Sequence, residues 1–307
     1  MSLSGAITGW NSQWIKRIEC PRGKIYCREK LPLAFDPNFA AAFSFVCQVE
    51  SSYTGLMQGA EPGTGAGREP QLGGNLLYAG ELDEAGRALV VAGNIAGAAS
   101  LAATANLVAQ KQAVRDGVVD FLVTSLDEAL RILKNEIRKR ETVAVCVGVD
   151  PVTVEREMLE RGVLPDLLGS CACQAEGTVF LNQGARRVEP FGADENRVLV
   201  VWRVTAAPAR WLPKLDAIAL DCLQLVPGSA TGADRRWLRL APRYLGRMAQ
   251  GVRLLRCDDQ IAARFLEQVR EQVESGEIPV AVEIQTSGRG QSHQHRFLPP
   301  GNSESAG

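Results

Sequence analysis

Apolar and polar positions along this chain alternate between two periods, most clearly after residue 87. Ala88–Ala92 is a short apolar run closed by Gly93 and predicts a strand; residues 97–112, rich in small side chains, predict a buried helix. Val118–Val123 is a second apolar run. Ser125 with Glu128 three residues on has the form of a capping box, and Leu126, Ala129, Leu130, Leu133 and Ile137 then recur at helical spacing. That helix ends in Arg138-Lys139-Arg140, cations at the negative end of its dipole. Thr142–Val149 predicts a third strand, and Asp150-Pro151 a new helix start, with Asp as cap and Pro in the first turn. Gly162 suits a left-handed helix end, and Val163–Leu168 predicts a further strand. Strands and helices in strict alternation, with strands apolar on both faces, imply an α/β fold: a parallel Rossmann-like sheet with helices on both faces.

Outside this stretch the signals thin. Phe43–Val49 alternates as a half-buried strand does. Residues 55–74 hold seven glycines and two prolines in 20 positions, too many for a helix or strand, and predict a loop or lid. Further on, Thr178–Leu181, Arg197–Val204, Gly251–Cys257 and Pro279–Ile284 predict strands; residues 208–225 and a segment from Asp258 to Val273 predict helices. These make a second α/β lobe. The expected organisation is an N-terminal segment (1–84), a core (85–169), the second lobe (170–285) and a disordered tail (286–307) of Gly, Ser, Gln and Pro.

Composition narrows the function. Among 307 residues, 34 Lys and Arg balance 35 Asp and Glu, giving a net charge of −1. Nucleic-acid binding and a polybasic membrane anchor both want a strongly basic surface, so neither is expected. The uncharged run Ala88–Ala109 reaches membrane length, but its Ala, Gly, Asn, Ser and Thr content fits strand, turn and buried helix better. The two histidines, His293 and His295, both lie in the polar tail, so no His-based nucleophile relay or His-ligated metal is expected in the body. Eight dispersed cysteines without a CxxC pair read as buried thiols, Cys222 among them, of a cytoplasmic protein.

One constellation carries chemistry: Gly93-Asn94-Ile95-Ala96-Gly97-Ala98, read as the turn from a strand into a helix, where free helix amides and close backbone approach favour a pyrophosphate. The rival reading is a tight turn with close helix–strand packing and no ligand. Leu89-Val90-Val91-Ala92-Gly93, the glycine turn and Leu101-Ala102-Ala103-Thr104 resemble the NAD-binding core of urocanase (urocanate hydratase). Leu126-Asp127-Glu128-Ala129-Leu130, Val145–Asp150 and Glu160–Leu168 are similar to its following segments, in the same order. The chain resembles a shortened, divergent member over residues 85–169.

The resemblance implies NAD as cofactor, held at Gly93–Ala98 and at Gly148 and Asp150, and a lyase or hydratase acting on a small-molecule substrate. In that family NAD acts as an electrophile rather than as a hydride carrier. The departures are specific. Val123-Thr124-Ser125 offers no acid for a ribose hydroxyl, and Leu220-Asp221-Cys222 echoes the family's catalytic Cys segment without its His or its Gly-Ser. Two readings therefore stand: an NAD-binding hydro-lyase of unknown substrate, or a non-enzymatic relative that keeps the fold for homo-oligomer assembly or partner binding. A hydride-transferring oxidoreductase is disfavoured, because the one Tyr-x-x-x-Lys pair, Tyr26 with Lys30, precedes the glycine turn. Catalytic residues are not assigned.

Overall fold

The computed structural model describes residues 37–58, 60, 69–169, 174–191, 197–204, 206–225, 232–246, 251–288 and 291–300. Tyr26, Lys30, Cys171, Cys173 and residues 59 and 61–68 of the glycine-rich stretch lie outside them.

Helix α1 (Pro37–Met57) comes first. The expected strand at Phe43–Val49 is part of it. Phe43, Val46, Val49, Tyr53 and Leu56 are buried at intervals of three and four, a helical stripe that the local alternation hid. A doubly wound unit follows: β1 (Leu76–Glu81), α2 (Glu84–Ala96), β2 (Ala99–Ala103), α3 (Leu107–Arg115), β3 (Phe121–Val123), α4 (Leu126–Lys139), β4 (Val143–Val147), α5 (Pro151–Glu160), β5 (Leu167–Gly169), α6 (Gln174–Asn182) and β6 (Arg186–Val188). The six strands are parallel, in the order β3-β4-β2-β1-β5-β6. The order reverses direction about β1, so the switch point lies between β1 and β5.

Within this unit the expected phase is shifted by one element. Ala88–Ala92 belongs to α2, not to a strand, and residues 97–112 span β2 and the start of α3. The cause is burial. α2 lies between the sheet and α1 and is buried from Ala88 to Ala96, so it shows no polar face. β2 is Ala-Ser-Leu-Ala-Ala, good helix formers held in a central strand buried on both faces. From β3 to β5 the phase agrees. Ser125 accepts from the Glu128 N–H, Asp150 accepts from the Val152 N–H, and Gly162 has φ 65°. Glu128 reaches back to the Thr124 N–H, one residue earlier than a standard capping box. Thr178–Leu181, expected as strand, lies in α6.

The remaining elements are β7 (Val198–Val204), α7 (Pro208–Leu225), α8 (Gly232–Leu245), β8 (Arg253–Cys257), α9 (Asp259–Glu274), β9 (Val282–Gly288) and β10 (Gln291–Phe297). Their sheet is antiparallel, in the order β10-β9-β7-β8. The tail is therefore not disordered from residue 286: β9 continues to Gly288, and β10 pairs with it from Gln291↔Gly288 to Phe297↔Val282. Backbone pairing sustains this polar edge strand, and side-chain composition does not announce it. α7 and α9 cover one sheet face through Trp202, which donates to Asp216 and packs on Phe265 at 5.0 Å.

Two cores result. One fills the face of the parallel sheet under α4, α5 and α6. The other runs without a break from α1 and α2 into α8, β7, β8 and α9. Ion pairs follow the same seam: Glu50 of α1 with Arg256 of β8 at 3.2 Å, and Arg197 beside β7 with Asp234 of α8 at 2.8 Å.

Candidate functional site

In open parallel sheets ligands bind outside the carboxyl ends of the strands, at the switch point. The six residues expected to cradle a phosphate stand at the opposite end. Gly93, Asn94, Ile95 and Ala96 form the last turn of α2, and Gly97 is its left-handed cap at φ 91°. The Gly97 N–H donates to the carbonyls of Gly93 and Asn94, and the Ala98 N–H donates to Gly93, a Schellman closure. This is a helix-to-strand turn at the negative end of a dipole, where an anion is disfavoured. Its carbonyls are engaged too. Ile95 O accepts from Arg236 Nε at 2.7 Å, and Ala96 O accepts from the Leu72 N–H at 2.9 Å. Asn94 donates to Val118 O at 3.2 Å. A Cβ on Gly93 would lie 2.7 Å from both Leu77 Cδ2 and Ser100 Oγ, so glycine serves close packing of α2 on β1 and β2. A phosphate cradle needs a strand-to-helix turn, and these six residues form the reverse, a helix-to-strand turn.

Gly148 and Asp150 do stand at the carboxyl edge, in the turn from β4 to α5. The Gly148 N–H donates to Val123 O at 2.8 Å, and exposed Asp150 caps α5. The turn at the switch point itself, which the sequence reading missed, is Gly80-Glu81-Leu82-Asp83, from the last two residues of β1 to the N-cap of α2. Gly80 has φ 81°. Leu82 is buried and donates its N–H to Ala103 O. Exposed Asp83 caps α2, its Oδ1 accepting from the Gly86 N–H at 2.8 Å. Gly86 is forced by close approach, since a Cβ there would lie 1.9 Å from Glu81 O. A strand signal at Leu76–Tyr78, followed by an Asp three residues before glycine, was the available clue.

The other helix starts on this edge are capped in the same way. Asn106 accepts from the N–H groups of Val108 and Ala109, and Ser125 caps α4. Charge at the edge is acidic: Glu81, Asp83, Glu84, Asp127, Glu128 and Asp150. Arg161 pairs with Asp127 and holds its carboxyl below the usual range. Arg87, in the first turns of α2, is drawn to Asp116 at 2.5 Å.

Nucleophiles are muted. Burial pushes the Cys146 thiol up to about 12, with the Glu81 carboxylate adding to the shift. Burial also raises Cys257 to about 12 and Cys222 to about 11. Cys222 lies in α7 and contacts Gln268 at 3.1 Å, a buried helix residue as expected. Tyr53 is buried and donates to Ala233 O. No group of three or more metal-ligating side chains occurs among the described residues, and no helix among them is long and apolar enough to cross a membrane.

Residues 52–180 match the family model of the urocanase Rossmann-like domain. This core is urocanase-like. The match runs from the end of α1 to α6, wider than the 85–169 resemblance in the sequence, and takes in the parallel strands β1–β5 and the β1–α2 turn. Domains of this family bind NAD. The residues present here do not fit that group at the switch point. Leu82, where a glycine would let a pyrophosphate approach, is anchored in the core; Glu81 ends β1, Asp83 caps α2 and Glu84 lies in its first turn, all negative; and Asp83 takes one of the free amides of α2. After β2 the chain reads Thr104-Ala105-Asn106, with no acid for a ribose hydroxyl, and Asn106 is engaged with its own helix.

Proposed function

We propose that this urocanase-like chain uses its core for assembly with a second copy of itself rather than for NAD-dependent hydration. One observation carries the reading. Among the described residues β3 is the end strand of the parallel sheet and pairs only with β4, and Phe121 and Leu122 on it are 48% and 41% exposed. Five of the nine large apolar side chains exposed among the described residues lie between 107 and 122: Leu107, Val108, Val114, Phe121 and Leu122. Leu107 and Val108 are 66% and 77% exposed. They begin α3, whose buried Gln110 lies close to Gly148 at the carboxyl end of β4, next to the end of β3. An unpaired apolar edge is a template for another strand, and the same strand on a two-fold-related copy supplies the complement.

The rival reading, a hydro-lyase with a small substrate at the carboxyl edge, draws support from the family and from the place of Gly148 and Asp150. The carboxylates on the β1–α2 turn weigh against it. The buried thiols of Cys146, Cys222 and Cys257, which are in no disulfide among the described residues, suit the reducing cytoplasm expected from the sequence.

Light scattering after size exclusion tests the proposal. The wild type is expected to run as a dimer or larger, and Leu122→Lys with Val108→Lys to run as a monomer with unchanged circular dichroism. A wild type that stays monomeric across a hundredfold range of concentration overturns it.

A further inference from the structure

The disagreement between this core and the cofactor of its family has a structural cause in four residues. We propose that the β1–α2 turn is closed by its own side chains: Asp83 stands at the free amides of α2 in the place of a bound phosphate, Glu81 and Glu84 repel anions from it, and Leu82, where a glycine would give access, is anchored in the core. The turn has the position and backbone form of a phosphate site. It follows β1 at the switch point, Gly80 has φ 81°, and Gly86 lets the helix start press against Glu81 O. What differs is the occupant of the helix N-terminus. The Asp83 carboxylate accepts from the Gly86 N–H at 2.8 Å. An aspartate cap satisfies the amide and the dipole together, as a phosphate oxygen does. Arg87, the cation in the first turns of α2, pairs with Asp116, which also accepts from Gln112.

Two consequences follow. The fold needs no nucleotide to complete α2, so protein stripped of nucleotides keeps its full stability. The exclusion is also local, so substitution of the turn's own side chains reverses it. Replacing the three carboxylates while keeping a neutral cap opens it: Asp83→Ser with Glu81→Gln and Glu84→Gln.

The test is thermal unfolding with NAD and, separately, with inorganic pyrophosphate as the probe. The wild type is expected to show no shift with either at millimolar concentration. The triple variant is expected to gain a pyrophosphate-dependent rise of a few degrees, abolished by high salt. If the triple variant does not fold, Asp83→Asn alone, which keeps the cap and removes the charge, is read by phosphorus NMR line broadening of pyrophosphate. A wild type stabilised by NAD overturns the proposal. Foldable variants that remain blind to pyrophosphate overturn it as well, because the carboxylates would then not be what closes the turn. Neither outcome depends on oligomeric state, so this test and the light-scattering test fail independently.

Discussion

Gly93 illustrates how one residue supports two readings that only its neighbours separate. In the sequence it stands among glycines after an apolar run. In the fold it is where α2 touches β1 and β2, with room for no Cβ beside Leu77 and Ser100. Gly93→Ala is therefore expected to act on stability and not on ligand binding. Overpacking of this kind costs about 1–3 kcal/mol. Urea unfolding should show that loss, and NAD should not restore it. A variant as stable as wild type would place the glycine's role elsewhere. The cysteines tell the same story, since burial raises the thiols at Cys146, Cys222 and Cys257 and leaves them structural.

At the scale of elements, the sequence was most legible where a helix is amphipathic and capped. α4 has a polar outer face, Ser125 at its start and Arg138 and Lys139 at its end, and its limits fall where the pattern puts them. α2 and β2 were exchanged because their surroundings, not their local propensities, select their conformation. β10 was missed because a polar edge strand buries little. That strand carries both histidines. They lie two residues apart on one face of the hairpin, while Glu283, paired with Arg203 and near Arg296, lies on the other. Burial, and then the charge of His293, hold His295 below its ordinary value of 6.5. The folded state then binds fewer protons than the unfolded chain just below pH 6.5. The hairpin's stability is thus present above that value and lost as pH falls through the lowered pKa. Protection factors of the β9–β10 amides, corrected for the intrinsic pH dependence of exchange, should fall as pH drops below 6.5, and His295→Gln should remove that dependence. An unchanged dependence in the variant would assign it to another group.

For the whole molecule, the decisive feature is the core that runs from α1 and α2 into the antiparallel sheet. Two sheets of different kind share it, and the ion pairs Glu50–Arg256 and Arg197–Asp234 cross the same seam. The described structure should unfold as one unit. Leu133 is buried on the far face of the parallel sheet, while Trp202, Trp211 and Trp237 lie in the antiparallel half. Leu133→Ala is expected to remove about 2–5 kcal/mol. Fluorescence and circular dichroism midpoints should fall together. A fluorescence transition that stays at the wild-type midpoint would mean two units that unfold separately.

The sequence by itself determined the class of fold, the urocanase-like character of the core, the run from α4 to β5, and the buried state of Cys222. It did so because those features are written in short-range patterns: helical spacing, caps, and the order of β and α segments. Only the tertiary structure decided which end of the sheet each turn occupies. A six-residue glycine segment looks the same at a helix start and at a helix end, and the sign of the dipole facing a ligand depends on which it is. The acidic β1–α2 turn, the shared core and the open edge at β3 likewise depend on contacts between residues far apart in the chain, which no local pattern records.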